Sequence, residues 1–317
     1  MDPEIDSAAF MLHGIHLAVC ISAFMLNLLL LYLLRRFSVF HHHMRIIMIN
    51  LTLSVNAAVF YLGIRSTIGM QQIWYKNSDD NVKPSEPTDS SNCVFSESVP
   101  PTVCFNFLIF PLVLVTERCY ATQSYRRYEN QNIESLYRWF CSLMWIPTGY
   151  SLLSFLFDIS FPPSLPFCQL SALNKSFLQR NIWFIIVATF SMIFAMLFKC
   201  LEWQNRAYEK DCLEKNYTTI SIRFQIRENI RTCRFAVSLN SLFFISFLIF
   251  FLLDQNIGSD MDDSASRREY LFMIFPVFAT IYAVHCINSH PQLYEKAKLV
   301  LRRWTPGHME QQKMLQS

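Results

Sequence analysis

Glu117-Arg118 is the first pair of charges met after a long apolar run, 103–115, and it stands at the end of that run. A carboxylate next to a guanidinium at the mouth of a helical bundle can work as a latch. The Arg is held by Glu117 in one state and released toward a partner in another. The plainer reading is an Arg that anchors a helix at the lipid headgroups, as most juxtamembrane arginines do. His41-His42-His43 invites a metal reading. Consecutive side chains on a helix or short loop point apart, however, so the three are expected in a solvated loop with no metal. Asn288-Ser-His-Pro291-Gln-Leu-Tyr294 places a helix-breaking Pro before a Tyr that could swing into a bundle. Motifs of soluble enzymes are missing: there is no GxxxxGK[ST], GxGxxG, HExxH, paired CxxC or GxSxG, and Gly occurs six times in 317 residues. No enzyme, no cofactor and no nucleic-acid partner is expected.

The elements that would position these residues follow from composition. The chain is 52% hydrophobic and 16% charged, against about 25% charged in soluble domains. That balance, with 29 Phe and a positive mean hydropathy, points to an all-α membrane protein embedded in a lipid bilayer. Seven apolar stretches of about the length that crosses a bilayer occupy 12–34, 46–70, 99–120, 139–157, 181–200, 235–253 and 270–288. Together they make one seven-transmembrane domain over 1–317, with 289–317 as a tail. The first eleven residues are acidic, without the basic start of a cleaved signal peptide. Pro100-Pro101 is expected to open the third span, and 71–98 has loop composition.

Charge orients the bundle. Segments 35–45, 118–138, 199–234 and 289–317 carry three, four, eight and five Lys or Arg, most of the 27 in the chain. By the positive-inside rule they face the cytoplasm, which puts the N-terminus outside and the C-terminus inside. Cys93 and Cys168 then fall in outer loops, where the oxidising environment favours a disulfide over two free thiols. Asn174-Lys-Ser176 becomes a usable glycosylation sequon, while Asn216-Tyr-Thr218 on the inner side stays bare; a glycan at Asn216 would invert the topology.

Two inner segments have helical periodicity. Arg223, Arg227, Arg231 and Arg234 repeat at i, i+4, i+8 and i+11, a basic stripe on a helix continuous with the sixth span. It can receive an acidic partner, or simply sit among headgroups and water. Leu293, Ala297, Leu301 and Trp304, interleaved with Lys296, Lys298, Arg302 and Arg303, form an amphipathic C-terminal helix on an anionic leaflet. Residues able to line a small-molecule site in the outer half are Tyr61, Arg65, Phe105, Asn106, Trp183 and Tyr270. Each also serves as ordinary packing, and Arg65 reads equally as a functional intramembrane charge or a snorkelling one.

Glu117-Arg118 with Ala121-Thr122 and Tyr128-Glu129 resembles the E-R-x-x-A-T…Y-E signature of the nematode serpentine chemoreceptors of the Sra superfamily. Ile222-Arg-Phe-Gln-Ile-Arg-Glu-Asn-Ile-Arg231 resembles the R-[YF]-Q-x-x-E-N-[IL]-[RK] stretch of its class e (Sre) members. With the span spacing, the likeness covers nearly the whole chain. It implies a G-protein-coupled receptor in the plasma membrane of chemosensory neurons, responding to odorant, pheromone or another small-molecule ligand. It makes Glu117, Arg118, Arg223, Arg227, Arg231 and Tyr294 the residues that meet a heterotrimeric G protein. Pro291-x-x-Tyr294 is similar to the N-P-x-x-Y element of rhodopsin-like receptors, with His290 in place of Asn. The sixth span has no Pro and lacks their C-W-x-P. The competing reading is a transporter or channel. Against it, no halves carry matching interrupted helices, and no acidic residues lie deep in the spans.

Overall fold

The computed structural model describes residues 3–37, 39–78, 90–123, 134–143, 145–146, 177–215, 220–260 and 264–304, and every element among them is helical. In chain order these are α1 (Pro3–Arg36), α2 (His42–Ser78), α3 (Ser90–Gln123), α4 (Glu134–Leu143), α5 (Phe177–Lys215), α6 (Ile220–Asp260), α7 (Ser264–Ser289) and α8 (Pro291–Trp304). Among the described residues, four segments are long and apolar enough to cross a membrane: Phe10–Arg36, His42–Gln71, Phe184–Glu214 and Ile222–Leu253. A shorter apolar helix runs over Met273–Ser289.

The helices outrun the apolar stretches that mark them. Hydropathy reports only the part a bilayer would cover, whereas backbone bonding continues into polar sequence. The stretch 71–98, read as loop, is helical over 71–78 and again from Ser90. Pro100 and Pro101 therefore lie inside α3 and do not open it. The polar segment 199–234 is largely the end of α5 and the start of α6. The basic stripe does lie on a helix continuous with the sixth apolar stretch. Most of the fourth expected span, 139–157, lies outside the described residues.

Contacts close the bundle on itself. α1 packs on α2 and α7, α5 on α6, and α6 on α7, while α3 touches α2, α4, α5 and α6 from the middle. The α1–α2 seam is aliphatic, with Leu30, Leu33, Leu34, Met44, Ile47, Met48 and Leu51 withdrawn from the surface. The α3–α6–α7 seam is aromatic. Phe107 meets Phe243, Phe247 and Phe278 edge-on, with centroids 4.8–5.4 Å apart, a geometry that aligns ring edges with ring faces. Outward faces are apolar too: Ile21, Met25, Leu28 and Tyr32 on α1, and Ile245, Leu248, Ile249 and Leu252 on α6, stand exposed at helical spacing. Helices apolar on both faces belong in lipid.

One end of the bundle gathers the basic segments. α1 stops at Arg35-Arg36, where cations complement the helix dipole. The linker behind it puts the Phe40 ring against Phe235, at 5.6 Å, and against His290, at 4.7 Å. α7 ends at Ser289, and the backbone turns at His290, whose carbonyl accepts from the Tyr294 amide (3.0 Å). Pro291 then occupies the first helical position, where its missing N–H costs nothing.

Candidate functional site

Glu117 and Arg118 sit near the end of α3 at this basic end, with relative exposures of 0% and 1%. Neighbours on a helix seldom face one another, but the Arg118 stem is long enough to fold back. Its Nε and Nη2 donate to the two carboxylate oxygens of Glu117 as a fork, the geometry that makes such pairs directional. Nη1 donates to Oδ1 of Asn229 on α6 at 2.9 Å. Arg118 is thus enclosed in this state and is no headgroup anchor. Arg118 thereby bridges α3 to α6 through Asn229, a residue within the Arg223–Arg231 stretch.

A second tier of polar links ties α5 to α3 and α6. Asn205 on α5 donates to Thr122 Oγ1 on α3 at 2.9 Å. Glu202, buried on α5, accepts from Lys199 (2.8 Å), Arg206 (2.5 Å) and, across to α6, Arg234 (3.4 Å). Arg227 on α6 pairs with Glu209 on α5 at 2.9 Å. Of the arginine stripe, Arg227, Arg231 and Arg234 are exposed and Arg223 is half-buried. Its inner side is Ile226, Asn229, Ile230 and Cys233. The stripe borders the site without entering it, and two of its members are already matched by acids on α5.

The histidines depart from the solvated loop expected of them. His43 is buried and His41 half-buried, and their ring centroids lie 5.0 Å apart. The backbone passes from linker to helix between 41 and 42, so alternate residues land on one side while His42 turns outward beside Arg45. Both inward rings reach Glu117: the nearest ligand-capable atoms of His41, His43 and Glu117 all lie within 4.8 Å of one another. Burial and the Arg118 guanidinium push the His41 imidazole down to about 4, so it is neutral near pH 7.

Tyr294 is exposed on α8 and does not swing into the bundle. The buried face of that helix is Leu293, Ala297 and Val300, and Leu301 points outward. An open cavity of about 650 Å³ lies beside it, between Arg36, Phe37 and Val39 and the α8 residues Pro291, Gln292, Glu295 and Lys296.

Of the expected ligand residues, the side chains of Tyr61, Arg65 and Asn106 are described. Tyr61 and Arg65 are half-buried on α2, and Arg65 stands about 33 Å along the helix axis from His43. Asn106 is buried on α3, where it donates to Ser54 Oγ of α2 at 2.6 Å. The side chains of Phe105, Trp183, Tyr270 and Cys93, and residues Cys168 and Asn174 altogether, lie outside the described residues. The described cysteines, Cys20, Cys119, Cys141, Cys200, Cys212, Cys233 and Cys286, are free thiols.

Residues 85–309, more than two thirds of the chain, match the family model for serpentine type 7TM GPCR receptor class ab chemoreceptors. The chain belongs to this family. Its class is ab, where the motif around Asn229 resembles class e. The match begins ahead of α3 and runs past α8, so it takes in the Glu117–Arg118–Asn229 contact and both tiers of polar links. The family is one of membrane receptors and not of enzymes. No curated protein matches the chain in sequence.

Proposed function

We propose that this chain is a chemosensory G-protein-coupled receptor of seven transmembrane spans. Its N-terminus is outside, and its basic end faces the cytoplasm of a chemosensory neuron. A small molecule, an odorant or pheromone, binds at the end opposite Arg118, and a heterotrimeric G protein docks at the basic end. The observation that carries the reading is the buried Glu117–Arg118 pair tied to Asn229 across α3 and α6. A buried ion pair is a poor source of stability, because desolvation offsets most of its attraction. What it supplies is a contact with two distinct states. A ligand that favours the bundle in which α6 has left Arg118 shifts the population toward it. Arg118 and the Arg223, Arg227 and Arg231 stripe are then presented to the partner, with Tyr294 at its edge.

On the outer side the proposal assigns ligand contacts to Tyr61, Arg65, Phe105, Trp183 and Tyr270, with Asn106 setting the α2–α3 distance beneath them. A Cys93–Cys168 disulfide and a glycan at Asn174 belong to that side. The likeness to class e extends the proposal to a nematode chemosensory receptor of the Sra superfamily. The deciding experiment is a second-messenger assay on cells expressing the chain, exposed to a panel of volatile and soluble small molecules. Arg118→Ala is expected to abolish the response at unchanged surface expression. Undiminished signalling by that variant would refute the assignment.

A further inference from the structure

We propose that His41, His43 and Glu117 form a binding site for a divalent transition-metal ion, zinc by ligand chemistry, in which the metal competes with Arg118 for the Glu117 carboxylate. Two imidazoles and one carboxylate, with a water in the fourth position, are a donor set that zinc accepts. The three come from separate elements, the linker before α2, its first turn and the end of α3, and their ligand atoms lie within 4.8 Å of one another. A triangle with 4.8 Å sides has its centre about 2.8 Å from each corner. Zinc bonds to N and O are about 2.0–2.2 Å. Closing the site therefore takes an inward movement of at most about 0.8 Å per ligand, within reach of small torsional changes in three side chains.

The donors are sheltered from bulk water: His43 is buried and His41 half-buried. Two charges claim Glu117. The Arg118 fork already engages both of its oxygens, and one carboxylate cannot neutralise a guanidinium and a divalent ion together at this distance. Occupancy by metal draws Glu117 toward the histidines and loosens the fork, leaving Arg118 with its Asn229 contact. Removing the Arg118 charge has the opposite effect and tightens the metal. The site stands on its own geometry; only its consequence, a metal-loaded receptor biased toward release of Arg118, rests on the receptor reading.

The test uses the full-length chain in lipid nanodiscs, purified without a histidine tag and titrated with zinc chloride against a chromophoric chelator. One zinc per chain is expected. His41→Ala and His43→Ala should each weaken it by more than the roughly tenfold typical of losing a supporting contact. His42→Ala, whose side chain points away, should leave it unchanged, and Arg118→Gln should strengthen it. Cobalt substitution should give the visible absorption of a tetrahedral ion in the wild type and lose it in His43→Ala. Absence of stoichiometric zinc, or equal weakening by His42→Ala and His43→Ala, would overturn the site. Unchanged affinity in Arg118→Gln would overturn the competition. Signalling enters none of these readouts, so failure of the site and failure of the receptor reading remain separate results.

Discussion

Asn229 is the smallest lever on Arg118. It takes one hydrogen bond, 2.9 Å from Nη1, and leaves the Glu117 fork intact. Asn229→Ala deletes the acceptor while keeping the helix, so the enclosed state loses a charge-assisted hydrogen bond worth about 1.5–3 kcal/mol. The released state makes no such contact and loses nothing. The equilibrium between them then moves by about 13- to 160-fold. A receptor resting with about 1% of molecules in the released state would rise to about 10–60%. The assay needs no ligand: second-messenger output is recorded in unstimulated cells carrying a promiscuous G-protein subunit and normalised to surface receptor. Asn229→Ala should raise basal output. Asn229→Asp sets a second anion beside Arg118, holds it more firmly and should lower basal output. Glu117→Gln should exceed Asn229→Ala, since breaking a buried pair costs about 3–5 kcal/mol. If the two Asn229 variants shift basal output in the same direction, or neither shifts it at matched surface level, the tether plays no part in the resting state.

Two further outcomes follow from the packing. Tyr282 is fully enclosed on α7 and its hydroxyl meets Thr52 Oγ1 of α2 at 3.1 Å. Tyr282→Phe should cost only about 0.6 kcal/mol, typical of interhelical hydrogen bonds in membranes. Phe243→Ala, which removes a ring touching Phe107, Phe278 and Tyr282, should cost about 3–5 kcal/mol; thermal unfolding in detergent that ranked the two the other way would contradict the aromatic seam. His290, packed on Phe40, is pushed below its ordinary 6.5 by burial and then by Arg231. A depressed folded-state value means that stability is full above pH 6.5 and is lost as pH falls through the folded value. The melting temperature should therefore drop on acidification, and His290→Phe, which keeps the ring contact, should flatten that slope.

What the sequence discloses here depends on how local each cause is. The Arg223–Arg234 stripe could be read because its spacing is a property of one helix, and α6 carries it unbroken. Glu117-Arg118 could be read because charges ending a long apolar run are visible without a partner. Asn229 could not. Its role exists only through Arg118, 111 residues away in the chain; the E-N motif marks the position without saying what it meets. The histidines failed for the opposite reason. The rule that neighbours diverge holds along a uniform backbone, and here the backbone changes from linker to helix inside the triplet. On α8 the error was one of phase. Seven residues bring a helix nearly back to its starting direction, whereas eight carry it about 80° beyond. Val300 thus continues the face of Leu293 and Ala297, and Leu301 leaves it. α5 and α6 ran longer than their apolar cores because Glu202–Arg234 and Glu209–Arg227 tie their polar extensions together.

The distribution of bond types within the bundle says how a signal could cross it. Along α3, the seam with α6 and α7 is built from Phe107, Phe110, Phe243, Phe247 and Phe278. Ring contacts of this kind trade neighbours over small displacements at little cost, since dispersion has no fixed direction. At the basic end α3 and α6 are joined, directly and through α5, by directional links: Arg118 to Asn229, Asn205 to Thr122, Glu202 to Arg234. A hydrogen bond weakens steeply once stretched or bent. A shift of α6 that the aromatic seam absorbs gradually is therefore registered at Arg118 as a contact kept or lost. In the receptor proposed here that difference makes the pair useful: a graded rearrangement around a small ligand becomes a two-state event at the surface that meets the G protein.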